Sequence, residues 1–171
     1  MIVSDMVNSN QKIEIAFHLN TKDATPLQTW PEVEPDDWGG LGPQTPGDIV
    51  FKFGHKTETM KNVYVAYFLE NLLDGVVACL ENETAHVTAD DGDTGLFLET
   101  VVSTLTVTFH TGVLMRAQAK VPLPRFGTHV LEVVREFCRQ LIAVNPRLRN
   151  ETVTSKLLAE ADTLERLLVR T

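Results

Sequence analysis

Between Thr104 and His110 the chain alternates without a break. Leu105, Val107 and Phe109 fall on one side, and Thr104, Thr106, Thr108 and His110 on the other. A period of two is the period of a strand, and a strand apolar on one side only is half-buried. Beyond Thr111-Gly112 a second alternating run sets Met115, Ala117 and Ala119 against Leu114, Arg116, Gln118 and Lys120. Such runs across a short turn predict an antiparallel hairpin, because parallel strands need a long crossover. A Thr111-Gly112 loop would put Phe109 opposite Leu114 and Val107 opposite Arg116, mixing the faces. A slip of one residue turns every side chain over. Burial therefore selects the register that pairs Phe109 with Met115, Val107 with Ala117 and Leu105 with Ala119. That register needs a loop of three or five residues.

The other segments fill in around this hairpin. Lys12 to Leu19 alternates, with Ile13, Ile15, Phe17 and Leu19 on one face, and reads as a strand. Asp48 to Phe53 reads as a second, with Ile49, Phe51 and Phe53 aligned. Spacings of three and four link Met60, Val63, Tyr64, Tyr67, Phe68, Leu72, Val76 and Cys79. They predict a helix capped by Thr57 or Thr59 and running to about Leu80. Pro122 and Pro124 end the second hairpin strand, and Thr128 caps a helix bearing Val130, Leu131, Val134, Phe137, Cys138, Leu141 and Ile142. Asn145-Pro146 stops it. A last helix starts near Thr154 or Ser155. Strands and helices do not alternate as βαβ units, so the expected class is α+β, with an antiparallel sheet packed against two or three helices. The length of 171 residues fits a single domain spanning 1–171.

Residues 20–47 stand apart. They carry five prolines (Pro26, Pro31, Pro35, Pro43, Pro46), four glycines (Gly39, Gly40, Gly42, Gly47) and no apolar periodicity. An irregular stretch this long is uncommon inside a domain and is either functional or disordered. It holds Trp30 and Trp38 with Glu32, Glu34, Asp36 and Asp37. The indoles either fold back onto the sheet or core, or anchor a partner, since tryptophan is enriched at interface hot spots. These six residues are the candidate partner-binding set. The threonine face with Arg116, Gln118 and Lys120 is a second surface, most simply the wet side of the sheet.

The formal net charge is −8. Duplex nucleic acid is a poor partner for such a chain, because phosphate binding needs clustered cations. A basic protein partner suits it better. No run of about 18 apolar residues occurs and the first ten residues lack a basic and apolar leader, so a cytoplasmic, membrane-free protein is expected. Cys79 and Cys138 lie on apolar helical stripes and read as buried, inert thiols.

The sequence carries no recognisable catalytic or cofactor motif. His18, His55, His86, His110 and His129 show no spacing of three or four, so no metal and no cofactor is expected. Asp90-Asp91-Gly92-Asp93 reads as a turn, because its glycine and Glu99 miss the calcium-loop register. No serine sits in a nucleophile elbow.

The segments GLFLETVVSTLTVTFHTG and VLEVVREFCRQLIAVNP follow one another as amphipathic strands and then a helix. Their layout and the chain's acidity are similar to those of small bacterial immunity-type proteins. That resemblance implies a cytosolic α+β domain that binds and neutralises a toxin, and it carries over no site residue. The expected function is thus a non-enzymatic protein-binding domain, of immunity type, for a basic toxin or partner. A small enzyme, or an accessory ligand-binding domain with dispersed site residues, is the alternative.

Overall fold

The computed structural model describes residues 12–19, 46–88, 92–144 and 146–170. Two antiparallel meanders form its frame. The first joins β1 (Ile13–Leu19), β2 (Pro46–Phe53) and β3 (Lys56–Tyr64) in the order β1-β2-β3. Helix α1 (Val65–Leu80) follows directly. The second meander joins β4 (Ala85–Thr88), β5 (Thr94–Val101), β6 (Thr104–Thr111) and β7 (Leu114–Pro122) in chain order. Then come α2 (Leu123–Val144), a short 3-10 turn at Pro146–Asn150, and α3 (Thr152–Leu168). The class is α+β as expected, with two sheets where the pattern suggested one.

The apolar faces of the sheets meet. Phe109 of β6 lies 5.5 Å from Phe51 and 6.5 Å from Phe53, ring centre to ring centre. Helix α1 is buried on most of its circumference, from Val65 to Cys79. Gly75 is what lets it approach the second sheet: a Cβ there would lie 2.8 Å from Val87 and 3.2 Å from Leu98. Helix α2 covers β1, where Phe137 meets Phe17 edge-on at 5.6 Å. Arg135 of α2 reaches Glu165 at 2.8 Å and Asp162 at 3.2 Å on α3. Such exposed pairs are worth at most about 1 kcal/mol.

Several expectations are corrected. The helix placed from Thr57 or Thr59 begins only at Val65, because Lys56–Tyr64 is strand β3. Its bulge explains the error. Gly47 pairs with Val63 but Ile49 with Met60, and Asn62 takes a φ of 54°. The extra residue brings Met60 and Val63, three apart, to the same buried face. That spacing imitates a helix. Tyr64 and Tyr67, placed on the same stripe, are about 40% exposed. The irregular segment drawn to residue 47 gives way to β2 at Pro46. Thr128 is not a cap: α2 starts at Leu123, and the Thr128 hydroxyl donates to the Pro124 carbonyl one turn back. Helix α3 starts at Thr152, where the Glu151 carboxylate accepts from the Val153 and Thr154 amides. Strand β4 carried no legible signal.

The hairpin faces are as expected, and the register differs. Leu105, Val107, Phe109, Ala117 and Ala119 are all buried. However, Phe109 pairs with Ala117, Val107 with Ala119 and Leu105 with Val121, two residues from the expected partners. The loop is the two-residue Gly112-Val113, between paired Thr111 and Leu114. Gly112, with φ 57°, supplies the left-handed first position of a II′-like turn. A two-residue loop alone would mix the faces. A bulge beside Phe109 and His110 makes Arg116 the extra residue and restores them. Met115, expected in the core, is exposed as a result.

The β5–β6 turn has the same form with the wrong residue. Val101 pairs with Thr104, and Val102 sits first in the loop at a φ of 61°. A left-handed conformation costs a β-branched residue roughly 1–2 kcal/mol. Glycine removes this strain but adds about 0.5–1 kcal/mol of unfolded-state entropy. Val102 is 89% exposed, so little packing is lost. Val102→Gly should therefore raise stability by up to about 1 kcal/mol in urea unfolding. A clear loss would mean that the turn has another geometry.

Candidate functional site

The six residues proposed from sequence, Trp30, Glu32, Glu34, Asp36, Asp37 and Trp38, lie outside the described residues, as do Asp90 and Asp91. The described part of the chain gathers unusual groups elsewhere, at the end of the second sheet that carries the β6–β7 turn.

Two histidines meet on the outer face of that sheet. His86 on β4 and His110 on β6 are separated by β5, yet their Nε2 atoms are 2.7 Å apart and their ring centres 4.8 Å. The strand between explains how. His110 pairs with Gly95 of β5, and His86 with Phe97. Gly95 has no side chain to block the crossing, and a Cβ there would stand 3.1 Å from His110 Nε2. Phe97, 41% exposed, walls the pair at 6.4 Å from the His86 ring.

The hydrogen bonds set the tautomers. His110 Nδ1 lies 3.1 Å from the Gly112 carbonyl. A carbonyl only accepts, so Nδ1 carries a proton, and in the neutral ring His110 Nε2 presents a lone pair. His86 Nε2–H then donates to it.

The tip beyond is apolar. Val113 is fully exposed, Leu114 62% and Met115 65%. Behind the tip, between β3 and β7, runs an open groove of about 520 Å³ with Met60, Phe109 and Leu114 along it. Glu58 and Arg116 flank it, their charged atoms 3.9 Å apart, and Lys56 Nζ lies 3.6 Å from Glu58. Lys56 also donates to the Arg116 carbonyl exposed by the bulge. A second concavity lies where α2 crosses the β1 edge. There His129 Nε2 accepts from the Ile15 amide at 2.8 Å and its Nδ1 faces Glu132 at 3.4 Å. That histidine satisfies an edge-strand donor, a structural role.

Among the described residues, no three His, Cys, Asp or Glu side chains come together as a metal-ligand group. No described helix is long and apolar enough to cross a membrane. Both thiols are free and buried. Burial raises the Cys79 thiol and pushes Cys138 up to about 11. Native protein at neutral pH should label at neither position with a thiol reagent until it unfolds. Rapid labelling without unfolding would contradict the packing of both helices.

The histidine pair was missed because its members are 24 residues apart and β4 was not anticipated. His110 was correctly placed on the polar face of β6. Comparison with protein-family models, curated proteins and solved structures gave no significant match.

Proposed function

We propose that the chain is a protein-binding domain that holds its partner at the β6–β7 tip. The supporting observation is the run Val113-Leu114-Met115, exposed at the tip, with Leu114 on the groove side and Met115 on the outer face. Singly scattered exposed apolar residues are ordinary, whereas apolar residues clustered at one end of a sheet mark an interaction site. The groove alongside offers a recess for a partner side chain. The net charge of −8 over the whole chain favours the approach of a basic partner at long range, while the groove itself is flanked by Lys56 and Arg116 about Glu58. A basic toxin, as the layout resemblance implies, is the first partner class to test.

A photoreactive residue placed at Val113 should give a discrete cross-linked adduct in cells, and the same residue at Val102, on the opposite hairpin, should not. Leu114→Ser combined with the Val113 probe should abolish the adduct. Equal cross-linking from both hairpins would remove the support for the tip.

A further inference from the structure

The geometry points to a copper(I) site formed by His86, His110 and Met115 on the outer face of the second sheet. Three observations converge. The Nε2 atoms of His86 and His110 already face each other at 2.7 Å. The His110 Nδ1–H bond to the Gly112 carbonyl fixes the ring with its Nε2 turned toward His86. This is the outer hydrogen bond that metal-binding histidines almost always make. Third, Met115 is paired with His110 across β6 and β7. Directly opposed residues rise from the same face, with Cβ atoms about 4.5–5.5 Å apart. The unbranched thioether spans such a distance readily.

The donor set selects the metal. Imidazole serves zinc, copper, iron and nickel alike, but a thioether is soft and favours copper(I). Two imidazoles and a thioether hold no negative charge, which suits a monovalent ion. Binding replaces the hydrogen bond between the rings. The proton on His86 Nε2 moves to its Nδ1 by exchange with water, so both Nε2 lone pairs face the ion and no net proton is released. The two histidines lie outside the apolar tip, and Met115 alone is shared with it.

The test is anaerobic titration of the full chain with copper(I) against a chromophoric chelator, beside a zinc(II) titration. One equivalent of copper(I) should bind. His86→Ala and His110→Ala should each weaken it at least tenfold, and Met115→Leu should weaken copper(I) about tenfold while leaving zinc(II) unchanged. All three side chains are at the surface of the sheet, and far-UV circular dichroism checks that each variant folds. In the parent, copper(I) should shift the His86 and His110 ring resonances. Failure to compete with the chelator, or binding indifferent to both histidine changes, would overturn the site. Equal copper(I) affinity in Met115→Leu would overturn the thioether ligand and with it the choice of metal.

Discussion

Phe109→Ala should cost about 3–5 kcal/mol of folding stability, the range for removing a buried phenylalanine ring. Phe109 is 1% exposed and stands where the two sheets meet, against Phe51 and Phe53. Two sheets approached from separate meanders cannot easily close over the lost ring, so the cost belongs toward the upper end. Thr106, three residues earlier on the opposite face, sets the contrast: Thr106→Ala should cost about 0.5 kcal/mol or less. Equilibrium urea unfolding measures both, and the slope should hold constant if neither variant alters the unfolded state. A Phe51–Phe109 double-mutant cycle should return a coupling of about 0.5–1.5 kcal/mol from the ring pair. Equal losses for Phe109→Ala and Thr106→Ala would mean that the faces of β6 are reversed.

Those faces were legible because alternation along β6 is unbroken, and burial leaves one solution for it. What stayed hidden was the closure of the hairpin. Parity excludes a plain two-residue loop, and two remedies satisfy parity: a longer loop, or a short loop with a bulge. The chain uses the second, with Gly112 at the turn and Arg116 as the extra residue. No pattern of apolar residues distinguishes these remedies. The same device hid β3, where the bulge at Asn62 gives a strand the three-residue spacing of a helix. Bulges are thus the common cause of both misreadings, since each adds a residue to a period-two pattern. The histidine pair was out of reach for a further reason. It depends on the order β4-β5-β6 and on a four-residue strand too short to show periodicity.

Gly95 joins this architecture to the histidine pair, and Gly95→Ala tests both. Two effects oppose each other. Glycine in a strand interior is unfavourable by roughly 0.5–1 kcal/mol relative to alanine, so propensity alone favours the change. Space opposes it. The new Cβ would stand 2.5 Å from the Val87 carbonyl oxygen, 3.1 Å from His110 Nε2 and 3.2 Å from the Thr88 Cα. The His110 ring can swing away, but the Val87 carbonyl is backbone, held in the β4–β5 ladder. Only a shift of β4 relieves the clash. That strand is not free to leave, because Val87 is 1% exposed and lies over Gly75 of α1. Overpacking of this kind costs about 1–3 kcal/mol, more than propensity returns. Gly95→Ala should therefore unfold at lower urea, lose amide-exchange protection first in β4, and separate His86 from His110. A variant as stable as the parent, with β4 amides still protected, would show that β4 and β5 do not approach this closely, and the histidines would then have no crossing point.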